Sequence, residues 1–113
     1  MATLTTQVIN RAALAPTYAS AAGGGDKFTP GSNVFLHVKN TNAATRDITV
    51  AATKDVLPDM PAPDVVETIP ATTGDKMLGP FPAEMFAASD GLADIAWSAS
   101  AGVTVAVLQL SQP

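Results

Sequence analysis

A chain of 113 residues holds one domain of ordinary size. Cysteine is absent, which excludes disulfides, thiolate metal sites and a thiol nucleophile. Only 14% of the residues are charged, the net charge is -4, and the six cations are scattered, which excludes a basic surface for a phosphate backbone. The N-terminus lacks the basic region of a signal peptide, and no apolar run is long enough to cross a membrane as a helix.

In chain order, the Thr-rich stretch LTTQVIN, with Leu4, Val8 and Ile9, reads as a first strand. RAALAPTYASAA has some helical propensity, but Pro16 in its middle and the following Thr17 and Tyr18 favour an irregular or extended segment. Gly23, Gly24 and Gly25 make a mobile loop; GGGDK lacks the Gly-Lys-Ser/Thr ending of a phosphate loop.

The strongest signal runs from Asn33 to Ala52. Val34, Leu36 and Val38 alternate with Phe35, His37 and Lys39, and Ile48 and Val50 resume the alternation after a polar turn. Two such runs predict an antiparallel hairpin. Leu36, Val38 and Ile48 belong to its buried face. His37 lies on the other face, which is either exposed or covered by a second element. TKDVLPDMPAPD carries Pro58, Pro61 and Pro63, a spacing that predicts an extended loop outside any ladder. Val65 to Ile69 is a strand, and Lys76 to Leu78 another, stopped at Gly79-Pro80-Phe81-Pro82. AEMFAAS is a short turn of helix or a compact loop, offering Met85 and Phe86 for burial. Asp90-Gly91 then turns into LADIAWSAS, whose single Trp97 packs in the core or at a seam. Ser100 to Gly102 closes a further hairpin into VTVAVLQL, with Val105 and Val107 inward.

The expected fold is therefore all-β: an antiparallel β-sandwich or barrel-like fold of about six to eight short strands with long Pro/Gly loops. The expected organisation is an N-terminal segment (1–30) leading into the sandwich (31–113), together one compact domain. The inventory for catalysis is thin. His37 is the only histidine, no Gly-x-Ser-x-Gly elbow exists, and Asp55, Asp59 and Asp64 lack calcium-loop spacing. Binding or structure is expected, without catalysis, metal or cofactor.

The APTY step with GGGDKF, the strand FLHVKN with its turn and DITV, the GPFP corner and the closing VTVAVLQL resemble small all-β proteins encoded beside the major capsid proteins of tailed bacteriophages. The likeness runs from about Thr5 to Leu110. It implies a capsid decoration (cement) protein of the virion, made in the host bacterial cytoplasm, that binds the outside of the head and braces it. Its partners would be the major capsid protein and further copies of itself, as a dimer or trimer at a capsid symmetry position, with no nucleic acid and no membrane. Two charge-poor segments are the candidate contacts: Ala12, Leu14, Pro16 and Tyr18 in the N-terminal stretch, and Val56, Leu57, Met60 and Pro61 in the Pro-rich loop. A tail or head–tail joining component and a sugar-binding β-sandwich are the alternatives.

Overall fold

Period-two alternation puts one set of side chains on each face of a strand, so a chain of short alternating runs must pair its apolar faces in layers. The computed structural model describes residues 2–9, 13–53, 55–57, 60–61 and 63–110. It shows two sheets packed as a sandwich. The first holds β1 (Ala2–Thr3), β4 (Asp26–Phe28), β11 (Ala93–Trp97), β6 (Arg46–Val50) and β9 (Val65–Ile69), in that spatial order. In the second, β10 (Gly74–Leu78), β5 (Val34–Asn40), β12 (Val103–Leu110) and β2 (Thr6–Ile9) lie side by side, and β3 (Ala19–Ser20) also pairs with β12. β7 (Asp55–Leu57) and β8 (Met60–Pro61) form a separate hairpin, and α1 (Ala83–Phe86) is a single turn of helix. The strands beyond the expected number are mostly pairings of two residues, β1, β3 and β8.

From β3 to β12 the main strands follow the order of a jelly roll, with β6 to β9 the one connection that stays in its own sheet. This corrects the expected pairing of neighbours. Asn33 to Ala52 is not a hairpin: β5 belongs to the second sheet and β6 to the first. The turn at 98–102 likewise carries the chain from β11 across to β12. Both turns have hairpin-like length and composition, but they arch over the end of the sandwich.

The burial phase follows the alternation. Leu36, Val38, Ile48, Val105 and Val107 are all buried, together with Val34, Val50, Ile69, Ile95 and Val103. Burying each such side chain contributes about 2 kcal/mol. Phe28, Phe81 and Phe86 close one end through edge-to-face contacts, with centroids 5.5 and 5.2 Å apart. Met85, expected inside with Phe86, is exposed. Trp97 packs against the core and donates from Nε1 to Asp26 Oδ2 at 2.9 Å. Asp26 Oδ2 also accepts the Ala22 amide at 3.1 Å, which ties the Gly-rich loop to the core.

The N-terminal segment is part of both sheets. β1 runs parallel to β4, Leu4 is buried, and β2 runs parallel to β12, so the stretch closes one side of the sandwich. On the other side β9 and β10 are bare edges. Glu67 and Lys76 occupy inward positions of these two strands and approach to 3.7 Å, a charged pair that discourages pairing with other chains.

The arches meet at Asn40, the last residue of β5, which occupies a core position and is fully buried. Its Nδ2 donates to Ala44 O at 3.0 Å and Pro70 O at 3.1 Å, and its Oδ1 accepts the Asn42 amide at 3.0 Å. Two arches are thereby held by one side chain. Gly74, paired with Asn40, has no room for a side chain, because a Cβ would lie 2.0 Å from Pro70 O. Gly102, with φ 78°, lies against Asn42 in the third arch.

Leu36→Ala and Val105→Ala should each lower stability by about 2–4 kcal/mol in urea unfolding. Asn40→Ala should cost a similar amount, about 2–4 kcal/mol, because it removes three hydrogen bonds made by a fully buried side chain. An unchanged midpoint for Asn40→Ala would show that the arches hold without it.

Candidate functional site

The two candidate segments sit on different parts of the molecule. Residues 17–20 run beside β12 and β2 of the second sheet, and the Tyr18 side chain reaches onto that sheet's outer face. There β5 presents Phe35, His37 and Lys39, β10 presents Asp75 and Met77, and β12 presents Thr104, Ala106 and Leu108. The Gln7 side chain substitutes for a strand partner: its Nε2 donates to Thr17 O at 2.7 Å and its Oε1 accepts the Thr17 amide at 2.8 Å. Ala19 and Ser20 then pair with Val105 and Thr104. Of the expected contacts, Leu14 is half-buried, Tyr18 is half-buried against His37 of this chain's own sheet, and Pro16 is exposed, while Ala12 lies outside the described residues.

Tyr18 is the centre of this arrangement. Its hydroxyl is 2.5 Å from His37 Nδ1, its ring meets the imidazole edge-on at 5.4 Å, and Lys39 Nζ stands 4.4 Å from its ring centroid. His37 Nε2 bonds Asp75 Oδ1. A carboxylate only accepts, so the neutral imidazole carries its proton on Nε2 and leaves Nδ1 to accept from the phenol. His37 is thus covered by a second element, one of the two outcomes its strand position allowed. The contact with Tyr18, 19 residues earlier, leaves no periodic trace in the sequence.

The second candidate segment forms the hairpin β7–β8 inside the β6–β9 connection, where an extended loop was expected. Pro61 is tolerated because β8 is an edge strand, where a missing N–H breaks no continuing ladder. Val56, Leu57, Met60 and Pro61 all lie on this hairpin, which belongs to neither sheet. Asp59 and Pro58 are outside the described residues. The root of the insertion is fixed. The Ala52 amide donates to Asp64 Oδ1 at 2.9 Å, and Thr53 donates to Met85 O and Ala87 O beside α1.

A third surface was not anticipated as a site. Below the His37 row, the second sheet carries an apolar cleft of about 370 Å³ lined by Asn33, Phe35, Met77, Pro80 and Leu110. Met77 is 63% exposed and Leu110 53%. Its sequence signal is apolar residues in the non-core phase of two strands, Phe35 and Met77. A second cavity, of about 430 Å³, lies between the N-terminal strands and residues 17–19, with Leu4, Val105 and Val107 in its wall.

Among the described residues no group of three His, Asp or Glu side chains is placed to hold a metal ion. No family model, curated protein or solved structure matches the chain.

Among the described residues the closest lysine–carboxylate pair is Lys27–Asp90, at 2.7 Å across β4 and the turn before β11. The hydrogen bond to Lys27, with help from the Leu92 amide, holds the Asp90 carboxyl below its ordinary value, and Asp90 raises Lys27. A depressed carboxyl stabilises the fold above the ordinary aspartate value and loses that effect as pH falls through its folded value. A raised lysine stabilises below the ordinary lysine value and loses the effect as pH rises through its own. The stability difference between the protein and Lys27→Met should therefore be small, because the pair is exposed. It should be flat through neutrality and vanish well below about pH 3.9 and well above about pH 10.4. Urea midpoints across that range check it, and a difference that peaks at either extreme contradicts the pairing.

Proposed function

We propose that the chain is a structural virion protein, a bacteriophage capsid decoration protein that binds the major capsid protein on the outside of the head. The reading rests on the likeness of the strand and turn segments to small phage head proteins. One structural observation supports it: a sandwich whose bare edges are guarded by a charge pair carries its Pro-rich segment as a separate hairpin, outside both sheets. Jelly rolls serve as viral capsid domains and also as lectins, so the architecture accommodates the role without dictating it.

A bracing protein needs a module that keeps its shape under load and a contact that the fold does not depend on. The β7–β8 hairpin meets the second need. Its root is bonded to α1 and to Asp64, and the exposed Met85 stands beside that root. Proline limits the entropy lost when such a segment is ordered against a partner. Residues 13–18 are the weaker candidate, because they already engage this chain's own sheet.

Leu57→Asp with Met60→Asp should weaken capsid binding by about 2 kcal/mol or more, roughly thirtyfold, while the fold survives. Undecorated heads are mixed with the double variant and sedimented, with circular dichroism confirming the sheet content. Co-sedimentation equal to that of the unaltered protein removes the hairpin as the contact. Failure of the unaltered protein itself to co-sediment removes the decoration reading.

A further inference from the structure

Three side chains on the outer face of the second sheet are linked in series. The Tyr18 hydroxyl lies 2.5 Å from His37 Nδ1, and His37 Nε2 bonds the Asp75 carboxylate. Rigid elements supply the second and third members: β5 carries the imidazole, and its neighbour β10 carries Asp75, opposite Lys39. The first is fixed from both sides along the backbone, by the Gln7 bonds to Thr17 and by the pairing of Ala19 with Val105. A phenol held only to fasten a loop needs one partner. This one stands at the head of a relay, with the Lys39 ammonium 4.4 Å from its ring centroid.

We propose that Tyr18 is an activated phenol, an acceptor site for one acyl group from an apolar activated ester. Phenol, imidazole and carboxylate stand in the order of nucleophile, base and orienting group. Asp75 takes the bond from Nε2–H, so the neutral ring presents Nδ1 as an acceptor to the phenol. As Tyr18 Oη attacks the acyl carbon, its proton passes to Nδ1. The new C–O bond forms, the ester's own C–O bond breaks, and the leaving oxygen departs with the electron pair and takes up that proton. The products are an acylated Tyr18 and an alcohol, and the imidazole returns to its starting form. Asp75 stabilises the imidazolium formed between, and Lys39 over the ring favours the negative charge that develops on the phenol. The cluster is open to reagents, with the Asp75 side chain 57% exposed and Tyr18 half-buried. The neighbourhood selects an apolar donor. Met77 pairs with His37, Phe35 lies two residues along β5, and both line the apolar cleft of about 370 Å³.

The full chain is treated with 4-nitrophenyl acetate at about pH 8, above the ordinary histidine value and below that of lysine, where amines stay largely protonated. N-acetyltyrosinamide in the same tube serves as the unassisted phenol. The chain has one tyrosine, so the mass of a single peptide locates the acetyl group. Tyr18 should be acetylated about a hundredfold faster than the reference, the low end of general-base assistance, and should take one group per chain. His37→Gln keeps an acceptor for the hydroxyl but no base, and should bring Tyr18 down to within a few-fold of the reference. Circular dichroism checks that the variants are folded, and if His37→Gln is not, the unaltered protein against the reference decides alone. Tyr18 no faster than the reference overturns the proposal, as does a folded His37→Gln chain as fast as the unaltered one. Nitrophenol release undiminished in Tyr18→Phe makes the imidazole the nucleophile and also overturns it.

Discussion

A sandwich whose strands cross from sheet to sheet needs polar groups at its ends, and here one buried amide supplies much of that need. A hairpin satisfies its backbone within its own ladder. An arch leaves the ladder, and its carbonyls and amides need other partners at the end of the core. Asn40 sits at that point in the core phase of β5, reaching Ala44 and Pro70 with its donors and Asn42 with its acceptor. An apolar residue there would continue the Val34, Leu36, Val38 alternation and remove the side-chain bonds to both arches, leaving the Thr72 amide to Asn42 O as the backbone bond between them. The remaining arch is fastened from outside the core: Thr41 donates to Gly102 O at 2.9 Å and Arg46 Nε to Ala101 O at 3.3 Å.

This explains which parts of the fold could be read from the residues. Strand existence and burial phase were legible wherever a run was long enough to alternate, as in β5, β6 and β12. Sheet membership was not, because a polar turn of four or five residues serves a hairpin and an arch equally well. The distinguishing marks are weak: an asparagine in an inward position at a strand end, and glycines where a neighbouring arch presses close. Both are visible only once a partner strand is known. Two-residue strands such as β1 and β3 carry no period at all, and their pairing follows from the strands they lean on.

The candidate sites follow the same division. VTVAVLQL is apolar in both phases over Val105 to Leu108, the pattern of a strand covered on both faces. In the sequence it reads only as a strong strand with Val105 and Val107 inward. The cover's identity depended on Tyr18 meeting His37 and on Gln7 standing in for a strand, contacts set by tertiary placement. The Pro-rich segment was legible as something outside the ladders, and its own short pairing as β7–β8 was hidden by the prolines.

Buried polarity in this chain is unevenly satisfied, and the contrast is informative. Asn40 uses both ends of its amide. Asp26, equally buried, uses only Oδ2, for Trp97 and Ala22, and among the described residues its Oδ1 has no hydrogen-bond partner. An unsatisfied buried oxygen costs about 1–3 kcal/mol, so this carboxylate is a poor device for stability alone. What it achieves is placement. One oxygen fixes the indole of the only tryptophan and the start of the Gly-rich loop, and that loop runs from β3 into β4. The anchor at Asp26 therefore ties the junction between β3 and β4 to the core.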